Sequence, residues 1–510
     1  MVGEDNYFIS LKNCNIFNIS KTNLTMTINM KKFVIMCLFL TTGLTLTAQN
    51  KNWTLQECVA YAIENNISVK QSELEIENSD ISKSDAIGNF LPSLNGSAGN
   101  SWNTGLTQDV TTGVLRNITS RSSSYNLSAG VTVFGGLRNH RELQKAKMLQ
   151  LSSQYNSSKI KDDIALFVAN GYLQVLLTKA NLQVAIEQNK VTVEQISRTQ
   201  KLVDAGVLPA GDLLEIKAVS AQEKQTIVSS ESNVRISLVS LAQLLLIKNY
   251  ENFDIAEQEF SVILSELSGK SVDEVINSAK ENRYEVRIAE QNMSVAQKDL
   301  EISKSIYWPT INAFFNYNTR ETDIPRISSI TDPTNPTITT QIGYVGATGE
   351  AVLSEIPNTS LVENTAKPFG EQLSDNDGIS YGLNMSMPIF NGFSTRNNVK
   401  RNLVNVKRNE YQLEQAKLDL ESSVYQAFVD AEGARKSYDA ALASFESQEL
   451  AYEYAQTRFD VGLTNSFEFS QSKLRYSQSN IEVNRSKYDY IFKLKVLELF
   501  FGIPATELKF

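Results

Sequence analysis

The chain has 510 residues, 42% of them apolar, yet only 10 prolines and 24 glycines, a balance that favours long uninterrupted elements over a turn-rich globule. Its net charge of −9 offers no basic stripe to neutralise phosphates, which argues against a nucleic-acid partner. One histidine, three cysteines, and no P-loop, G-x-S-x-G or Cys/His pairing leave no candidate catalytic, cofactor or metal site.

The N-terminus reads as a targeting segment. Met30-Lys31-Lys32 is a positive start, Phe33 to Leu46 is apolar with Thr and Gly interspersed, and Leu46-Thr47-Ala48 supplies a small residue before Gln49. A transmembrane helix is the competing reading, but the run is short and no second apolar run follows. Residues 1–29 read as an extension upstream of Met30 or Met26. Removing 1–48 takes away four lysines and two acids, which moves the net charge from −9 to −11 and leaves Cys58 as the only cysteine.

From Leu55 onward the chain is written twice. Leu55–Asn65 matches Val272–Asn282, and the same offset of 217 carries Pro92 onto Pro309 and Leu94 onto Ile311. Further on the offset is 256: Tyr125 falls on Tyr381, Phe134 on Phe390, Gly206 on Gly462 and Ile247 on Ile503. The 39 extra residues of the second half lie between Ile311 and Tyr381, so 313–378 is expected to be a long exposed loop, rich in proline, threonine and serine. The expected division is 1–48 as extension and signal peptide, 49–248 as the first repeat, 249–270 as a connection and 271–510 as the second repeat.

Each repeat reads as helix, strand, loop, strand, long helix, tight turn, helix. Leu94–Asn103, Tyr125–Phe134, Ile311–Thr319 and Ile379–Ile389 alternate apolar with polar side chains. Any one of them suits a half-buried strand of a soluble sheet, the commoner case, but four together, each of about ten residues, look like transmembrane strands with a lipid face and a wet face. Four strands cannot close a lumen, so other copies of the chain must complete the barrel.

No proline interrupts Leu137–Val203 or Phe393–Phe459. In the second run a 4-3 spacing from Val399 to Phe445 is apolar except at Glu410 and Lys417, the signature of a left-handed coiled coil. At ~1.5 Å per residue each helix reaches roughly 100 Å. Gly206 and Gly462 follow these helices, as left-handed C-caps do.

These motifs together resemble the TolC-like outer-membrane efflux family over essentially all of 53–502. The resemblance is carried by Trp53-Thr-Leu-Gln-Glu57, Phe90-Leu-Pro-Ser-Leu94, Phe134-Gly-Gly136 and Pro388-Ile-Phe-Asn-Gly392. Asp204-Ala-Gly-Val207 and Phe459-Asp-Val-Gly-Leu463 add to it. It implies a mostly α protein with a small transmembrane β-barrel contribution, closed as a homotrimer in the outer membrane and continued by a periplasmic α-barrel. It further implies an exit duct without enzymatic activity, coupled to an inner-membrane pump through a periplasmic adaptor (membrane fusion) protein.

Under the same resemblance the tips Gly206, Val207, Leu208, Gly462, Leu463 and Thr464 would meet the adaptor. Two aspartates narrow the tunnel mouth in some members. Their positions here are Glu468 and Gln471, with Asp212 and Glu215 as first-repeat equivalents. The acids equally suit a helix's first turn, where the macrodipole favours negative charge. A periplasmic coiled-coil adaptor or scaffold without a pore is the alternative; it accounts for the heptads but not for the four amphipathic strands.

Overall fold

The computed structural model describes residues 52–108, 114–257 and 270–503. The expected signal segment Met30–Ala48 lies outside them, as does 258–269 of the expected connection.

Two sets of helices and strands follow one another in the same order. The first set is α1 (Leu55–Asn65), α2 (Ile67–Gly88), β2 (Ser93–Gln108), β3 (Leu115–Gly135), α3 (Arg138–Asp204) and α4 (Ala210–Leu244). The second is α5 (Val272–Asn282), α6 (Tyr284–Ser305), β5 (Thr310–Thr322), β10 (Gly378–Ser386), α8 (Ser394–Asp460) and α9 (Ser466–Phe501). A short parallel pair, β1 (Asn52–Trp53) with β4 (Asp254–Ile255), ties the start of the first set to its end.

Helix bounds follow the sequence offsets residue for residue: α1 and α2 recur 217 residues later as α5 and α6, and α3 recurs 256 later as α8. Thr54 and Ser271 each close a capping box onto Glu57 and Glu274, which fixes the start of both short helices. The long helices are each 67 residues. Along α8 the 4-3 stripe from Leu413 to Phe445 is buried or half-buried throughout, with Leu420, Val424, Ala431, Ala434 and Ala441 buried; Leu403 and Glu410 are its exposed members. Ile164, Val168 and Val175 occupy the matching positions of α3 and are buried beneath α1.

The four strands form one antiparallel sheet in the order β10–β5–β3–β2. Both hairpins share one register, since Ser93 pairs with Gly130 in the first and Thr310 with Ser386 in the second, the same pair carried across by the two offsets. The strands differ from expectation at their ends. β2 and β3 run further, to Gln108 and from Leu115, because each satisfies the other's backbone there. β10 stops at Ser386 instead of Ile389, just ahead of Pro388, which has no N–H to donate to a ladder.

The expected loop 313–378 is not irregular. Its first residues belong to β5, and beyond them β6 (Arg326–Thr331) pairs with β9 (Thr359–Asn364) and β7 (Thr337–Tyr344) with β8 (Ala351–Pro357). The result is one two-stranded ribbon, offset where Asp332–Pro336 faces the single residue Asn358. Helix α7 (Phe369–Asp375) then returns along the free edge of β5, where Gln372 accepts from Thr322 N–H at 3.0 Å and donates to Thr322 O at 2.9 Å.

Next to the sheet the helices lie in the order α2–α3–α6–α8, and farther from it in the order α4–α3–α9–α8. The chain is therefore a wall with two open edges. One is β2 running into α2, with α4 below; the other is β10 running into α8. Among the described residues no helix is long and apolar enough to cross a membrane.

Candidate functional site

The sheet has two chemically distinct faces. Tyr125, Leu127, Ala129 and Val131 share one side with Phe315, Tyr317, Ile379, Tyr381, Leu383 and Met385. Asn126, Ser128, Asn316, Asn318, Ser380 and Asn384 share the other. A strand's period of two produces this division directly, and it fits a sheet with lipid on one side and water on the other.

Where strands meet long helices, the chain reverses through paired left-handed residues: Gly136 and Leu137 at φ 62° and 64°, Gly392 and Phe393 at φ 62° and 65°. The two turns match in backbone but not in surroundings. A Cβ on Gly136 would come 2.7 Å from Ser305 O and 2.8 Å from Trp308 Cβ, whereas the space at Gly392 is open.

At the far ends both long helices finish in Schellman turns. Gly206 has φ 73° and Val207 N–H donates to Leu202 O at 2.8 Å; Gly462 has φ 78° and Leu463 N–H donates to Arg458 O at 2.8 Å. The expected tip residues are thus brought to two adjoining turns. Val207 and Leu463 are 66% and 70% exposed, while Leu208 and Thr464 are half-buried. Arg198 of α3 donates to the carboxylate and the backbone oxygen of Asp460, tying one tip to the other.

The second tip is stiffened by an aromatic ladder between α8 and α9. Phe459 stacks on Phe469 at 5.0 Å, and Tyr452 contacts both Phe469 (5.7 Å) and Tyr476 (5.0 Å). Burial in this ladder, reinforced by nearby acids, pushes the Tyr452 hydroxyl up to about 12.

Glu468 and Asp212 stand in the first turns of α9 and α4, with Gln471 and Glu215 three residues further on. Asn465 accepts from Glu468 N–H at 2.9 Å, and Thr464 donates its hydroxyl to the Glu468 carboxylate. Glu468, Gln471 and Glu215 are exposed and Asp212 is half-buried. No hydrogen bond or ion pair among the described residues joins the α4 acids to the α9 pair.

Between the tips and the sheet lies a polar node absent from the sequence reading. Lys473 of α9 reaches Glu223 of α4 and Gln188 O and Thr192 of α3. Its sequence signal was a lysine within the buried stripe Ser466, Phe469, Lys473 and Ser477.

Known proteins resemble this chain in sequence and in fold. The sequence profile described as outer membrane efflux protein matches residues 59–245 and 275–499. Protein CyaE of Bordetella pertussis is 21% identical over 377 residues, covering 73% of this chain and 68% of that one. Outer membrane protein TolC of Vibrio cholerae is 21% identical over 358 residues, covering 69% and 70%. Among solved structures, the Campylobacter jejuni CmeC outer membrane channel superposes with a TM-score of 0.68 at 15% identity, covering 89% of this chain and 86% of that one. With its duplicated helices and four-stranded sheet inside the matched segments, the chain belongs to the outer membrane efflux protein family.

Proposed function

We propose that three copies of this chain close into one duct through which a periplasmic adaptor and an inner-membrane pump discharge their cargo. As a family member the chain is an outer-membrane exit channel for efflux or secretion. The trimer, the adaptor and the pump are the further reading.

The observation that carries the trimer is the pair of open edges. The contact between the two repeats inside one protomer, β3 on β5 and α3 on α6, serves as a template for the contact between protomers. Moving each side by its own repeat offset (256 forward, 217 back) turns Tyr125–Thr319 into Tyr381–Trp102, and Ala129–Phe315 into Met385–Ala98. For the helices, the ring contact Tyr155–Tyr284 becomes Tyr411–Ile67, and Ser152–Asn292 becomes Arg408–Glu75. Trp102, Tyr381, Met385, Ile67 and Tyr411 are all exposed in the single protomer.

Heptad-spaced exposed rows line both helix edges: Ile67, Leu74 and Ile81 on α2, and Val404, Tyr411, Leu418 and Tyr425 on α8. Such a contact is heterologous, and a ring removes every open strand edge from lipid. With four strands per protomer, three copies make a twelve-stranded barrel. The repeats 49–248 and 271–510, joined by 249–270, then act as one integrated wall, and processing ahead of Gln49 delivers it to the membrane.

The tips would meet the adaptor through Val207, Leu208, Leu463 and Thr464. Glu468, with Gln471, Asp212 and Glu215 nearby, would line the mouth. The test is a detergent-extracted, heat-modifiable trimer that conducts ions in planar bilayers. A monomer that remains in the soluble periplasm would instead favour the scaffold reading.

A further inference from the structure

The strand end far from the long helices carries a cavity of about 430 Å³. Its floor is the polar face of the sheet, with Asn103, Ser120, Ser122, Arg320 and Thr322; its walls are the base of the ribbon at Ile324 and Arg326 and the segment Ala366–Lys367 with Gln372 and Asn376. Three cationic side chains, Arg320, Arg326 and Lys367, therefore converge on one recess of a chain whose net charge is −9.

Of the acids around this recess, two are engaged on other groups and one pairs with its lysine. Asp323 accepts from Arg121 N–H at 2.7 Å, and Glu321 pairs with Arg121 on the opposite, apolar face of the sheet, whereas Asp375 pairs with Lys367 of the recess itself and also feels the charge of Arg326. Asp377 lines an adjoining cavity together with Asp375 and Arg320. The guanidinium groups of Arg320 and Arg326 make no hydrogen bond or ion pair among the described residues. The wall is held in place: Gln372 donates to Lys367 O at 2.7 Å and to Thr322 O at 2.9 Å, and Asn376 donates to Arg320 O at 2.9 Å.

Two planar guanidinium forks with no hydrogen-bonded partner, an ammonium shared with Asp375 and a ring of hydroxyl and amide groups suit an oxyanion with several acceptor oxygens. We propose that this cavity binds the phosphate or sulfate group of a soluble solute at the distal mouth of the duct. The inference rests on the channel reading, because it is the polar face that places the site in the lumen. A lipid headgroup would have to approach from the apolar face, which the cavity does not open onto.

Inorganic pyrophosphate is the probe, used with the full-length trimer in phosphate-free detergent and in planar bilayers. Added on the strand side, it should bind in calorimetry and reduce the current. In R320Q/R326Q the half-blocking concentration should rise by about tenfold or more, since two charge-assisted contacts are lost. R320K/R326K should keep part of the block, and unchanged heat-modifiability confirms that both variants assemble. Equal block in wild type and R320Q/R326Q, or equal block from the helical end, would overturn the site. So would pyrophosphate inertness combined with Arg-dependent flotation on phosphatidylglycerol vesicles, which would make it a headgroup site. Failure of the channel reading shows separately, as an absence of conductance, and calorimetry then still decides the site.

Discussion

Lys473 Nζ lies 2.8 Å from Glu223 Oε1, with the two side chains only 7% and 16% exposed. The same ammonium donates to Gln188 O, and Asn189 Nδ2 donates to Glu223 Oε2 at 3.2 Å, so α3, α4 and α9 meet at one charge. Removing one partner of such a pair costs about 3–5 kcal/mol, because the other charge stays buried. Lys473→Met should therefore lower thermal stability more than Lys473→Met with Glu223→Gln, measured by circular dichroism of the detergent-solubilised protein.

The pair also predicts a pH dependence. Burial pulls the Lys473 ammonium below the usual lysine range, and the bond to Glu223 only partly offsets it. Between that lowered value and about 10.4, the unfolded chain binds the proton more readily than the folded one. Stability contributed at this site should thus rise with pH across that window and stay level below it. Wild type should gain on the double variant as pH approaches 10; parallel curves would remove Lys473 as the cause.

Gly136 and Gly392 share a left-handed backbone, so a substitution strains both alike, by roughly 1–2 kcal/mol. Only at Gly136 would a new Cβ also strike backbone, at Ser305 O. Gly136→Ala should reduce the yield of trimer, and Gly392→Ala should leave it nearly unchanged. Equal yields of heat-modifiable trimer would show that the close approach relaxes freely.

Gly462 has no atom within 4 Å of a built Cβ, so Gly462→Val acts through backbone strain of about 1–3 kcal/mol at the end of a long wall. Folding should survive while Leu463 is displaced. Photo-crosslinking from position 463 to the adaptor should fall sharply; undiminished crosslinking would remove the tip from the docking surface.

Across the proposed seam, Glu75 of one copy faces Arg408 of the next. Glu75→Arg or Arg408→Glu alone sets like charges together and should weaken the trimer in semi-native electrophoresis. The combined exchange should restore it. Failure of the exchange to rescue would show that the register transferred from the α3–α6 contact does not hold between copies.

Glu468 is the sharpest test of the mouth. Glu468→Gln keeps Asn465 as the cap of α9 and removes one negative charge per copy, three in a trimer. Single-channel currents should lose cation selectivity and bind a trivalent cation less tightly. Unchanged selectivity would leave Glu468 as a carboxylate at a helix start.

The lengths of α3 and α8, the doubled order of elements and the two faces of the strands were legible in the sequence, because each is a local periodicity repeated many times. Gly206 and Gly462 were legible because a helix stop is a local event. The ribbon within 313–378 was not: β6 must find β9 about thirty residues away, and its mixture of isoleucine with serine and threonine marks no single face. Only the tertiary structure could show that Lys473 meets Glu223 250 positions earlier in the chain, or that Arg320, Arg326 and Lys367 share one cavity. Those relationships depend on which helices and strands become neighbours, and chain topology decides that through contacts that no short window of sequence contains.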